Sequence, residues 1–281
     1  FHHAEDTILL ADALAKLQIR DEVLFTSMAS AICKHLDANQ LKIREIRHAA
    51  SAFSQMGMVE KQLMTKMMSW LRPRLDDCTS NDLSALAFSF SRAVAVAGRE
   101  GREFFGALLP QLVERHHRGE INAREAAGLI VSYSQANVLD EHAADLMRLM
   151  PLIERSPSAV NGQWLALLLP CISHHAKTKT LEVLAERASQ LAPTLSPRQL
   201  ARLAIGFGQA QVQRQELWQS LTREAMSKSV AFSAPDTLRF LAGLDAVGAN
   251  HGNVKLLKTF WARVAEKQAK YLAEEFLALL Q

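Results

Sequence analysis

Catalysis and metal binding need reactive side chains at spacings that let them converge, and the first candidates in this 281-residue chain are cysteine and histidine. Cys171, His174 and His175 form a Cys-x-x-His-His cluster, Cys33 stands two residues before His35, and His116 and His117 are adjacent. A zinc site needs four converging ligands, usually in two spaced pairs. No second pair stands near any of these, so packed or solvated histidines and no metal site are expected. The acidic pairs Asp76-Asp77 and Glu274-Glu275 fall at expected helix ends, where caps or solvated charge account for them. A Gly-rich phosphate loop, a zincin pattern and a Gly-x-Ser-x-Gly elbow are missing. The residues therefore predict no catalytic site, no cofactor and no small-molecule substrate.

Two sets of polar residues suit a binding surface instead. The first is Lys16, Gln55, Arg92, Gln135, His174 and Gln209, each nine residues after the first apolar position of a recurring pattern, Leu-x-x-Leu-Ala-x-x-Phe. Nine residues at about 100° each end about 180° from the apolar stripe, so this column faces away from the core. It reads either as a ladder along a groove or as an ordinary solvated face, and it holds no acid. The column just before it is small throughout: Ala15, Ser54, Ser91, Ser134, Ser173, Gly208 and Ala246, which predicts close helix packing. The second set is basic and gathers at the ends of second helices: Lys34, Arg72, Arg74, Arg115, Arg118, Arg155, Arg187, Lys228, Lys267 and Lys270. Stacked repeats would align it into a phosphate-following stripe, although helix dipoles also favour cations there by about 0.3 to 1 kcal/mol each.

The elements that position these residues are helices. Apolar residues at i, i+3, i+4 and i+7 recur as Leu200, Leu203, Ala204, Phe207, and again from Leu83, Ile46, Ala126 and Leu165, with weaker copies from Thr7 and Leu238. The second positions fall at 10, 49, 86, 129, 168, 203, 241 and 280, a period of 35 to 43 residues. A lone hairpin cannot bury its own stripe, so the spacing predicts an all-α, α-α superhelix (solenoid) of about seven helical hairpins over residues 1–281, with an eighth beginning at Leu277 and Leu280. Turn signals at Gly57, Asn137 and Gly248 close first helices, and Thr79 to Asp82, Ser196-Pro197 and Ser233 to Asp236 restart them. Second helices are expected over Leu63 to Trp70, Phe104 to Val113, Leu181 to Leu191, Leu217 to Met226 and Leu256 to Val264. Pro73, Pro110, Pro151 and Pro193 should bend or break them, and residues 98–102, with two glycines, read as a lengthened loop in the third hairpin.

Composition agrees: 49% of residues are hydrophobic, while glycine and proline number only 12 and 8. The longest apolar run, Trp164 to Ile172, is too short to span a bilayer, which needs about 20 residues. Cys33, Cys78 and Cys171 are odd in number and far apart, so free, mostly buried thiols in a reducing compartment are expected. A net charge of +3 is mild, so any nucleic-acid surface must come from the placement of charge. The chain opens at Phe1 and stops within an expected helix, as a piece of a longer chain would.

The first-helix endings Phe53-Ser54-Gln55-Met56, Phe90-Ser91-Arg92-Ala93, Tyr133-Ser134-Gln135-Ala136 and Phe207-Gly208-Gln209-Ala210 resemble heptatricopeptide and octotricopeptide repeats. The likeness covers nearly the whole chain. It implies an RNA-associated scaffold of organelles, relatives of which carry a C-terminal RAP domain; that domain is not found in these residues. The Pro-Pro-Pro-Glu-Trp signature of algal octotricopeptide repeats is missing too, which sets the resemblance nearer the heptatricopeptide branch. The resemblance further implies the mitochondrial matrix, RNA such as rRNA and neighbouring proteins as partners, and a mitochondrial ribosome subunit as the most concrete form. The alternative is a protein-protein scaffold of armadillo or HEAT type. With only 6% aromatic residues, phosphate contacts are expected to outweigh base stacking.

Overall fold

The computed structural model describes residues 3–248 and 258–260, and those residues are helical with no strand. Expectations for Lys267, Lys270, Glu274-Glu275, Leu277 and Leu280, and for Leu256 to Val264 apart from the helical residues 258–260, lie outside the described residues. The chain divides into two compact units between Arg148 and Leu149.

The first unit holds α1 (Ala4–Lys16), α2 (Glu22–Asp37), α3 (Ile43–Gln55), α4 (Lys61–Leu71), α5 (Ser80–Phe90), the short α6 (Val94–Ala97), α7 (Arg99–His117), α8 (Ala123–Gln135) and α9 (Leu139–Leu146). Here α1, α3, α5 and α8 pack one on the next, while α2, α4, α7 and α9 form a second row. The second unit holds α10 (Met150–Arg155), α11 (Gly162–Ile172), α12 (Thr178–Leu191), α13 (Pro197–Gln209), α14 (Gln215–Ser227) and α15 (Ala234–Ala246). Its rows are α11, α13, α15 and α10, α12, α14.

Local chemistry sets the boundaries. Thr79, Asn122 and Ser196 accept from backbone N–H groups at the starts of α5, α8 and α13, and Asp82, Glu125 and Gln199 answer from the third helical position. First helices end in left-handed residues at Gly57, Asn137, Gln211 and Gly248, and also at Gln18. The apolar stripe forms the core: Ile46, Leu83, Leu86, Leu129, Leu168, Leu200, Leu203 and Phe207 are all fully buried.

Four expectations need correction. Residues 99–102 are not a loop, because Gly98 alone turns the chain in the left-handed region and α7 starts directly after it. Gly101 then sits against Val94, where a Cβ would come within 2.9 Å of backbone, so the short α6 fills the extra sequence. Pro110 does not break α7. It is exposed, and burial of Phe104, Phe105, Leu108 and Leu112 around it outweighs the lost backbone bond. Leu10 is 37% exposed rather than a core anchor. In α15 the buried stripe is Thr237, Phe240 and Leu244, one residue earlier than the sequence pattern suggests, while Asp245 is exposed. Two contacts set this register: Phe240 meets Phe232 and Phe260 edge-on or nearly so, and Gly243 lies directly against the Ala204 carbonyl of α13. The position nine residues after Thr237 is Ala246, so α15 adds no polar residue to the column.

Candidate nucleic-acid interface

The first-helix column is exposed at every predicted position. In the first unit Lys16, Gln55, Arg92 and Gln135 lie at the ends of α1, α3, α5 and α8, and in the second His174 and Gln209 lie at the ends of α11 and α13. Two of these also tie neighbouring helices. Gln55 donates from Nε2 to the Ala15 carbonyl at 3.4 Å, and Ser91 Oγ donates to Gln135 Oε1 at 2.9 Å. Both partners belong to the small column, of which Ala15, Ser54, Ser91, Ser173 and Gly208 are buried, as close packing requires. Lys16 pairs with Asp12 at 2.6 Å but remains 71% exposed.

The basic second-helix ends behave differently. Arg72 pairs with Glu103 at 2.5 Å, and Arg118 pairs with Glu114. Arg74 stacks on Trp70 at 3.9 Å, donates to the Trp70 carbonyl and reaches Asn39. Arg115 donates to the Asp76 and Cys78 carbonyls at 3.0 and 2.7 Å and pairs with Glu120. Lys228 donates to the Pro193 and Leu195 carbonyls at 2.7 and 2.9 Å, and Arg187 to the Ser158 carbonyl. In Arg115, Arg187 and Lys228 one second helix supplies a cation to the carbonyls that end the previous hairpin, groups a helix cannot satisfy itself. These side chains join hairpins, which accounts for much of the basic pattern at those positions.

Arginines free of hydrogen bonds and ion pairs collect elsewhere. Among the described residues they are Arg44, Arg92, Arg124, Arg155, Arg198 and Arg202, and all but Arg155 lie on or directly after a first helix. No family model and no curated protein matches the chain. The functional reading therefore rests on this geometry and on the repeat endings.

Sequence reasoning singled out Arg92 but missed Arg44, Arg124, Arg198 and Arg202. The signal was available: positions two before and two after the first apolar residue stand four residues from one another and eleven and seven residues from the polar column, within about 40° on a helix. These positions hold Arg44 and His48 in α3, Arg124 in α8, Arg198 and Arg202 in α13, and, only in the register that the structure gives α15, Arg239. Burial, then the neighbouring Arg47 charge, pulls His48 below its ordinary range, with Arg44 and Lys16 adding and Asp12 opposing.

His174 and His175 are exposed, Cys171 is half-buried and donates to the Leu167 carbonyl, and no group of three potential metal ligands forms among the described residues. Cys33 and Cys78 are buried free thiols, with Cys78 pushed up to about 11 by burial. No described helix is long and apolar enough to cross a membrane.

Proposed function

We propose that the chain is a non-enzymatic scaffold in which the hairpins continue as one α-α superhelix and associate with RNA through the outward faces of the first helices. The observation that carries this reading is the division of the cations: most second-helix arginines are spent within the protein, whereas Arg44, Arg92, Arg124, Arg198 and Arg202 on or just after first helices stand unpaired among the described residues, on a face whose polar column contains no acid. Arginine offers planar, bidentate donors that match phosphate oxygens. The repeat endings supply the setting, an organelle, with a structural subunit of a mitochondrial ribosome as the most concrete form and rRNA with neighbouring proteins as partners.

Fluorescence anisotropy with a labelled single-stranded RNA tests it. The wild type should bind, and Lys16→Ala with Arg92→Ala should weaken binding while the helical circular dichroism stays unchanged. Absence of binding to any RNA at low salt would refute it. A protein-only scaffold is the second reading, favoured by Leu9, Leu10, Leu17, Ile19 and Val23, which leave apolar surface exposed on the first hairpin.

A further inference from the structure

The packing of α13 against α15 concentrates charge on one face. Gly208 and Gly243 make this the closest helix approach recorded by the glycines: a Cβ on Gly208 would lie 2.5 Å from the Gly243 carbonyl oxygen, and one on Gly243 would lie 2.2 Å from that of Ala204. Arg198 and Arg202 stand one turn apart on α13, and Arg239 holds on α15 the position that Arg202 holds on α13. Carboxylates are scarce around them, since α11 and α13 contain none. Asp236 on α15 is committed to its own helix start, accepting from Ser233 Oγ at 2.7 Å and pairing with Arg239 at 3.2 Å. Arg198 and Arg202 have no hydrogen bond or ion pair among the described residues, and Arg202 is only partly exposed. Its guanidinium is pulled below its ordinary range, first by burial and then by the charges of Arg198 and Arg239, with Asp236 and Cys171 opposing. A partly buried cation held beside two like charges, with no direct ion pair of its own and the nearby Asp236 already engaged by Arg239, is a costly arrangement that an anion would relieve.

We infer that Arg198, Arg202 and Arg239 form a binding site for phosphate groups, with Arg202 as its central donor. Three guanidinium forks on one face supply more donors than a single monodentate anion uses, and phosphate oxygens accept such forks in pairs. Taking the phosphate from a polynucleotide backbone rests on the RNA reading above, but the site itself does not. An acidic peptide is the competing ligand, and the test separates it.

The experiment measures binding of three probes to the whole chain: a labelled single-stranded oligouridylate, inorganic tripolyphosphate and polyglutamate. Each is titrated against wild type, Arg202→Gln, Arg239→Gln and, as a control, Arg72→Gln from the second-helix row. Thermal melting confirms that each variant is folded, and Arg198→Gln replaces any that is not. The site predicts that Arg202→Gln weakens oligouridylate binding about tenfold and lowers its salt slope by roughly 0.7, one phosphate contact on a single strand, while Arg72→Gln changes neither. Tripolyphosphate binding that is lost in Arg202→Gln, without any RNA binding, would support the site and refute the RNA reading. RNA binding that is indifferent to Arg202 and Arg239 would overturn the site and leave the RNA reading standing. Binding of polyglutamate alone, or of no probe, would overturn the phosphate assignment.

Discussion

Gly208 and Gly243 show how one atom decides a helix pair. Alanine is intrinsically better than glycine inside a helix by about 1 kcal/mol, so propensity alone favours Gly208→Ala. The added Cβ, however, would meet the Gly243 carbonyl oxygen at 2.5 Å and its Cα at 2.7 Å. Backbone atoms inside a helix cannot swing aside as a side-chain tip does, so the clash wins. Gly208→Ala is expected to destabilise the chain by about 1 to 3 kcal/mol in urea unfolding; a neutral or stabilising result would mean that α13 and α15 are less tightly joined. His48 gives a second residue-scale prediction. Because its folded pKa lies below the ordinary 6.5, the unfolded chain takes up a proton that the folded chain resists. Stability from this residue is therefore complete above 6.5 and is lost as pH falls from there through the folded value. Melting midpoints from about pH 7.5 to about pH 5.5 should decline, and His48→Asn should flatten the decline.

At the scale of elements, the two rows of helices use cations for different ends. Second-helix Arg115 and Lys228 satisfy carbonyls that end the preceding hairpin, and both side chains are largely covered, at 15% and 26% exposure. Replacing Lys228 or Arg115 with methionine keeps much of the stem but removes charge-assisted bonds, for which a loss of about 1 to 3 kcal/mol is expected. Arg92→Ala on the first-helix face should change stability by no more than about 0.5 kcal/mol. Denaturant midpoints of the three variants check the contrast directly, and equal losses would erase it. Sequence spacing located the second-helix cations and, of the first-helix set, Lys16 and Arg92. It gave no means of choosing between dipole, hairpin joint and ligand contact, because each places a basic residue at a helix end.

For the whole molecule, the balance of +3 leaves little long-range attraction for a polyanion. Attraction must come from local clusters, so RNA affinity should fall linearly in log–log form with salt, with a slope of about 0.7 per phosphate contact on a single strand. A complex unchanged between low and physiological salt would point to apolar contact instead, for which the exposed leucines of the first hairpin provide a surface.

The helical hairpins and their boundaries were set locally. A stripe at i, i+3, i+4 and i+7, a Ser or Thr with an acid or amide three residues on, and a left-handed Gly or Asn each act within one or two turns, so reading them needs no neighbour. The exposure of Lys16, Gln55, Arg92, Gln135, His174 and Gln209 follows from the same periodicity. What contacts between helices decided lies beyond that range. The register of α15 was set by Gly243 against Ala204 and by Phe240 among aromatic rings, and the unbroken course of α7 through Pro110 by the burial of Phe104 and Leu108. The pairing of Arg72 with Glu103 and the unpaired state of Arg198 and Arg202 depended on which carboxylates the packing brought near: one about 30 residues away in the first case, and in the second Asp236, already engaged by Ser233 and Arg239. Charge sites are assembled across helices, and a single helix's sequence records only its own half of each.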